Sequence, residues 1–254
     1  FDRFHKGRIK NLNHLRGKIE FQKGDFLNKR HLSRALKGMD YVFHFVSLST
    51  PASTANDPQL EIKLNLEGTL QLFDLCVKHG IKKIIYPSSG GAVYGNALDE
   101  VASETTQARP MSPYAVTKLA IEEHLHFYRR QYGLPFVIYR IANPYGERQN
   151  PDGIQGAIPI FMKHMMKNEL IELYGNTVRD YVYVKDVTGF MADNFAEKHK
   201  NSTYNIGSGR GVALFELVLM LAKTTQSMPR MKRLEKRPFD VQKIVLDISR
   251  ASEE

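Results

Sequence analysis

Tyr114 and Lys118 stand four residues apart in Tyr114-Ala-Val-Thr-Lys118. On an α-helix that spacing puts both side chains on one face. A lysine ammonium beside a phenol favours the phenolate and draws its pKa toward neutrality. A phenolate so placed can take the proton of a hydroxyl while hydride leaves the same carbon. The spacing alone is weak evidence, because 12 Tyr and 20 Lys among 254 residues supply about one such pair by chance, and Tyr181 with Lys185 is a second. Context separates the two. Ser112 suits an N-cap and Pro113 the first helical position, so Tyr114 falls in the first turn of a helix just after a loop. Tyr181 lies in an alternating, strand-like run where the two side chains need not meet.

Three further groups have chemical potential. Ser88-Ser89-Gly90-Gly91-Ala92-Val93-Tyr94-Gly95 follows an apolar run at Lys82–Tyr86. Small residues at the end of a strand let a ligand approach the backbone, and a hydroxyl there can share a proton with Tyr114. Asp2 and Asp25 are acids at strand ends, able to accept hydrogen bonds from ribose hydroxyls, or else simple turn residues. Arg179-Asp180 and Arg237-Pro238-Phe239-Asp240 offer guanidinium groups for a diphosphate, or structural ion pairs with the nearby aspartates.

These residues need a scaffold, and the pattern of the chain supplies one. Strand-like runs at Ile19–Gln22, Tyr41–Val46, Lys82–Tyr86 and Pro135–Ile141 alternate with helical patterns at Lys29–Leu36, Gln59–His79 and Ser112–Tyr132. Gly80 and Gly133 follow the two long helices as C-caps. Such alternation predicts an α/β fold with a parallel sheet covered on both faces, binding ligands beyond the carboxyl ends of its strands. After Gly146 the pattern loosens. It predicts helices at Ile158–Asn168, Lys185–Lys198 and Val212–Lys223, and strands at Arg179–Val184 and Thr203–Ile206. The division is residues 1–150 as the main domain and 151–254 as a smaller substrate-binding region, with some elements returning to the core.

Composition narrows the class. Hydrophobic residues make up 42% of the chain, enough for a substantial core. No apolar run reaches the roughly 18 residues of a membrane span, and no secretory leader opens the chain. The single cysteine, Cys76, sits in an apolar helical pattern and reads as a buried thiol in a reducing, cytoplasmic setting. The nine histidines show no metal-ligand spacing. A net charge of +9 favours anionic partners, a diphosphate or a nucleic acid. The densest basic run, Met228–Arg237, reads as a solvated surface loop.

Taken in order, Gly24-Asp25, Val42–Phe45, Asn65–Thr69, Ser88–Gly95, Tyr114–Lys118, Arg140–Gly146, Arg179–Asp186, Tyr204–Gly207 and Arg237–Asp240 resemble the extended short-chain dehydrogenase/reductases, the NAD-dependent epimerase/dehydratase family, over essentially the whole chain. The resemblance implies a Rossmann-type doubly wound sheet, NAD as cofactor and a nucleotide-diphosphate sugar, UDP-linked, as substrate. It points to the 4-epimerase branch, with Tyr114, Lys118 and Ser89 as catalytic residues. Asp2, Asp25, Phe26, Phe45, Val46, Ser47, Asn65 and Ser88, together with Tyr114 and Lys118, are then cofactor-binding, and Asn143, Arg179 and Arg237 substrate-binding. Asp2 favours NAD over NADP, with neighbouring Arg3 working against it. A homodimer built on the helices Gln59–His79 and Ser112–Tyr132 is implied too.

Two departures from the family pattern carry expectations. The Gly-rich β-α-β start is missing before Phe1, about 30 residues, so this piece is expected to bind NAD weakly or not at all. The family's usual catalytic Ser/Thr falls on Gly90, leaving Ser89 as its substitute. Gly91 and Ala92 lack the acids that related dehydratases carry there, which favours epimerisation over dehydration. The alternatives are a nucleotide-sugar dehydratase or reductase and, from another class, a non-catalytic RNA-binding relative, although scattered charge makes nucleic acid the weaker partner.

Overall fold

The computed structural model describes residues 1–3, 9–50, 52–97, 101–153, 155–197, 202–237 and 240–253. Caps fix the helices of the first half. Asn28 accepts from the backbone N–H groups of Arg30 and His31 and opens α1 (Lys29–Leu36). After β1 (Tyr41–Phe43), Asp57 caps α2 (Pro58–Glu61). A π-helical turn, Ile62–Leu66, then leads into α3 (Glu67–His79), which ends on Gly80 at φ 66°. β2 (Lys83–Ser89) runs into the short α4 (Gly90–Val93). Ser112 caps α5 (Pro113–Tyr132), Gly133 closes it at φ 67°, and β3 (Phe136–Ile141) follows. Both glycines hold left-handed backbone that a side chain would strain.

The predicted helix over residues 59–79 is therefore interrupted. The reason lies on its buried face, where Glu61 and Asn65 both point inward and bond to each other at 2.9 Å. π turns are rare and, inside α-helices, are frequently found at functional sites.

β1, β2, β3 and a later strand, β7, form an all-parallel sheet in the order β1-β2-β3-β7. The second half contributes β4 (Asn143–Tyr145), α6 (Ala157–Met166), β5 (Leu170–Tyr174), β6 (Val178–Tyr183), α7 (Val184–Asn194), β7 (Thr203–Ile206), β8 (Gly211–Ala213), α8 (Leu214–Thr225), β9 (Arg230–Leu234), β10 (Lys243–Ile244) and α9 (Ser249–Ser252). β10, β6 and β4 make a second parallel sheet with β8 antiparallel on β6, and β5 pairs β9.

Three expectations change. Ile19–Gln22 is not a strand; among the described residues it makes isolated contacts, the bridge Arg16↔Ile19 and the Asp2 N–H donating to the Gln22 carbonyl at 3.0 Å, beside the bridge Asp2↔Lys23. The basic run Met228–Arg237 is not a plain loop. Its core, β9, pairs residue for residue with β5, with Met231 and Leu234 partly buried, Arg230, Lys232 and Arg233 exposed, and Arg233 lying over the Phe215 ring. Val212 and Ala213 belong to β8 rather than to the last helix.

The sheet's period of two sends Ile84, Tyr86 and Ile138 to one face and Ile85, Val137 and Tyr139 to the other. Leu32, Phe73, Cys76, Ile121 and Leu125 from α1, α3 and α5 cover the first face. Val187 and Met191 of α7 and Tyr204 of β7 pack on the second, so parts of the second half complete the core of the first. A separate cluster of Phe161, Met165, Ile171, Leu173, Leu217 and Val218 holds α6 and α8 against β5. Cys76 is buried, and burial pushes its thiol up to about 12.

Leu125 of α5 is fully buried while Val116 on the same helix is 52% exposed. Leu125→Ala is expected to cost roughly 2–5 kcal/mol of stability in urea denaturation. Val116→Ala should stay within about 0.5 kcal/mol.

Candidate active site

Ser112 Oγ accepts the N–H of Ala115, so α5 begins beside the carboxyl end of β2 with Tyr114 and Lys118 in its first two turns. Lys118 is 9% exposed. Its Nζ donates to the carbonyl of Pro87 at 3.1 Å and lies 4.7 Å from the ring centre of Tyr86 and 5.8 Å from that of Tyr114. Burial lowers its pKa to about 8, opposed by Glu122 and then Glu61.

The expected drop of the Tyr114 pKa is not found in this geometry. Burial raises it to about 12; a hydrogen bond with Ser89 works against that rise and Glu61 adds to it. Lys118 faces ring surfaces and the Pro87 carbonyl instead of the phenol oxygen, so its charge does little for the phenolate here. The competing pair is dismissed: Lys185 bonds Glu147 at 3.0 Å and lies over Tyr183, while Tyr181 lines the cleft alone.

Ser89 is the hydroxyl beside the phenol. Gly90, which the motif count puts at the family's Ser/Thr position, has no room for a side chain: a Cβ there would lie 2.6 Å from Leu246 and 2.9 Å from the Arg140 carbonyl. Ser88 turns the other way and donates to the buried carboxylate of Glu122.

Tyr114, Ser89, Gly91, Ala92, Asn143, Arg179 and Arg237 all line one open cleft of about 610 Å³. Asn143 is oriented by its amide donating to the Asp180 carbonyl at 3.0 Å. Arg179 does not pair with Asp180. That carboxylate is buried and accepts from Ser208, Gly209 and Leu246 instead. Burial lowers the Arg179 pKa, Tyr181 and Asp240 oppose this, and nearby Arg237 lowers it further. Arg237 does hold its local aspartate, bonding Asp240 through Nε at 2.8 Å and a terminal nitrogen at 3.1 Å. Two guanidinium groups thus lie near each other in the wall of the cleft. Pro238 and Phe239 lie outside the described residues.

A second, small cavity on the other side of Tyr114 is lined by Val46, Ser47, Glu61, Asn65, Tyr86 and Lys118. Asn65 is buried and fixes the loop after β1, accepting from Leu48 N–H at 2.8 Å and donating to Ser49 and Glu61. Phe45, 61% exposed, stands at the same strand end. Tyr86 keeps a buried hydroxyl with no partner among the described residues. The donors around this space, a cation and an unsatisfied hydroxyl, match ribose hydroxyls in chemistry, while the space itself is about 10 Å³, about the size of one water. Asp25 bonds Arg3 at 2.7 Å, and that bond, followed by the Leu27 N–H, holds its carboxyl below the usual range. Arg3 is thereby engaged, which weakens its pull on any 2′-phosphate. Asp2 is exposed, bridged to Lys23. The side chain of Phe26 does not reach the site; it is buried, stacked on His44 at 5.4 Å.

The sequence reading missed the support behind these groups. Glu122, one more step of four along α5 from Lys118, forms a buried ion pair with Arg140 of β3 at 2.6 Å. Arg140 also bonds the Tyr94 hydroxyl at 2.9 Å, which donates to Asn205 of β7 at 2.7 Å. The four-residue step was visible; the long-range partners were not. Glu61, Gln149, Glu172 and Tyr174 were missed as lining residues, having no local signal.

Comparison with known proteins gives the family and the fold. Residues 2–207 match the NAD dependent epimerase/dehydratase family. A putative UDP-glucose 4-epimerase of Methanocaldococcus jannaschii is 33% identical over 95% of this chain and 79% of its own length. The Thermus thermophilus UDP-glucose 4-epimerase in complex with NAD superposes with a TM-score of 0.92 at 32% identity, over 99% of this chain and 83% of that one. The Thermotoga maritima UDP-glucose 4-epimerase with UDP-glucose gives 0.91 at 35% identity, over 99% and 82%.

The Glu122 side chain is only 2% exposed and that of Arg140 11%. Glu122→Leu would leave a buried guanidinium without its carboxylate and is expected to destabilise the fold by about 3–5 kcal/mol in urea unfolding. A loss under about 1 kcal/mol would contradict the buried pair.

Proposed function

Because the chain belongs to the NAD-dependent epimerase/dehydratase family, we propose that it epimerises a UDP-linked sugar at C4 through a 4-keto intermediate, with NAD as cofactor. The observation that supports this best is that one cleft is lined by Tyr114 and Ser89, by the uncharged Gly91 and Ala92, and by Arg179 and Arg237.

Bound NAD supplies a hydride acceptor, then a hydride donor, and in its oxidised form a positive charge that favours the phenolate. Tyr114 Oη takes the proton of the sugar 4-hydroxyl and later returns it. The Ser89 hydroxyl, already bonded to Tyr114, orients that oxygen and opposes the effect of burial on its pKa. Lys118 would hold the cofactor's ribose hydroxyls, with Asn65 and Ser47 beside it in the same cavity wall. Phe45, Val46 and the backbone near Ser88 and Phe26 follow the same strand ends, and Asp25 and Asp2 take the adenosine half. Asn143, Arg179 and Arg237 anchor the diphosphate, leaving the sugar free to turn and present its other face.

Elimination of water needs an acid and a base beside the sugar. Gly91 and Ala92 supply neither, so epimerisation is favoured over the dehydratase chemistry the family also contains. Reduction without return of hydride has no feature of its own here. An RNA-binding role has less support, because both arginines line a cleft and not an exposed stripe. The exposed Leu60, Ile62, Val116 and Phe127 on α2, the π turn and α5 give a homodimer an apolar surface to cover. A cytoplasmic setting suits the buried, unpaired thiol of Cys76.

Tyr114→Phe should lower kcat by about 10²–10⁴-fold while leaving the Kd for UDP-sugar nearly unchanged. Mass spectrometry of the wild-type products should show unchanged mass. Loss of 18 mass units, the mass of water, would replace this reading with dehydration, and unaltered turnover by the variant would remove Tyr114 from the mechanism.

A further inference from the structure

Glu61 is a carboxylate 1% exposed, at the end of α2 where the π turn begins. Its Oε2 accepts from the Thr54 hydroxyl at 2.7 Å and its Oε1 from the Asn65 amide at 2.9 Å. Both donors are neutral, so its hydrogen bonds orient the charge without cancelling it. It shares the wall of the small cavity with Lys118, whose ammonium is buried. A buried carboxylate held only by neutral donors is expensive unless a cation faces it.

We infer that Glu61 is a positioning residue for Lys118, a fixed counter-charge across the cofactor cavity that keeps the lysine an ammonium where it meets the cofactor. The inference deepens the proposed function and rests on its assignment of Lys118 to the cofactor.

Several other groups surround Lys118. On its own helix, Glu122 is bound to Arg140 through three hydrogen bonds and still acts on Lys118 more strongly than Glu61 does. Tyr114, one turn earlier, is a phenol held protonated by burial. On β2, Tyr86 presents a ring face and an equally protonated hydroxyl. After β1, His44 is buried and neutral, its pKa lowered to about 3 by burial and then by Lys118 itself. Of the two carboxylates that act on Lys118, Glu61, from α2, is the one held by neutral donors and set in the cavity wall, so it is the second counter-charge beside Glu122. Burial pulls the Lys118 pKa down to about 8, close to working pH, and Glu61 is one of the two groups that oppose it. The sign follows: without this carboxylate the lysine loses its proton at lower pH.

Glu61→Gln keeps the size and most of the hydrogen bonding but removes the charge, and Glu61→Asp keeps the charge. The Lys118 ammonium is followed by ¹⁵N NMR of lysine-labelled full chain, with no sugar and no turnover, its signal assigned through Lys118→Arg. The midpoint is expected to fall by about one pH unit in Glu61→Gln and to recover in Glu61→Asp. The alkaline limb of kcat/KM should move down by the same amount. An unmoved midpoint overturns the inference, including one accompanied by lower thermal stability, which would make Glu61 a structural clip for the Thr54 loop. A shifted midpoint in a protein that turns over no UDP-sugar supports the Glu61–Lys118 link while sinking the epimerase reading.

Discussion

The buried ion pair between Glu122 and Arg140 ties the site to the sheet, and most of the site geometry depends on it. Arg140 lies in β3, Glu122 in α5, and Ser88, which donates to the same carboxylate, at the end of β2. Through Tyr94 and Asn205 the network reaches β7, and Asn205 continues to the carbonyls of Ala102 and Asp247. Six segments far apart in sequence, around Ser88–Tyr94, Ala102, Glu122, Arg140, Asn205 and Asp247, are thereby tied together. Buried charges of this kind contribute little net stability, since desolvation offsets most of their attraction. They do penalise every arrangement that leaves a member unpaired. A helix slipped by one residue along the sheet would break the pair and move Tyr114 and Lys118 together, so the same constraint sets register and catalytic geometry.

Desolvation then determines the chemistry. Tyr114 and Lys118 are both shifted toward their neutral forms, the phenol up and the amine down, because both sit in the same poorly hydrated place. The pair is therefore responsive to added charge. A positive charge brought into the small cavity favours the phenolate, and a negative one favours the ammonium. A site prepared this way does little to water alone and becomes a proton acceptor when its charged partner arrives, the selectivity a hydride-transfer site needs.

What could be read from sequence follows the range of the interactions involved. Caps and helix faces are local, so the Ser112–Pro113 start, the α5 helix and the Gly80 and Gly133 stops could be placed from a few neighbouring letters. The cleft residues Asn143, Arg179 and Arg237 were legible through resemblance, and they do line one space. Ile19–Gln22 failed because an alternating run is not a strand without a partner alongside it. β9 failed in the opposite direction: five residues dominated by charge read as a loop, yet β5 offers a complete ladder for them. Glu61 was invisible because its meaning lies in Lys118, 57 positions away. Ser89 stood between these cases. Counting residues put the hydroxyl at Gly90, and only the absence of room for a Cβ there shows why it cannot be.

The two arginines of the cleft differ in a way that bears on turnover. Arg179 is half-buried, bonds the Val178 carbonyl at 3.0 Å and lies near Tyr181 and Asp240. Arg237 is 45% exposed at its side chain and paired with Asp240. On the proposed function, a diphosphate in the cleft would bind the more deeply set Arg179 and compete with Asp240 for Arg237. The exchange at Arg237 replaces one anion by another of higher charge density, so its net gain is small. A fixed anchor combined with a weakly held one suits a substrate that must stay attached by its nucleotide while its sugar lets go, turns and is seized again. Uniformly tight binding along the whole cleft would hold the ground state and slow that turn.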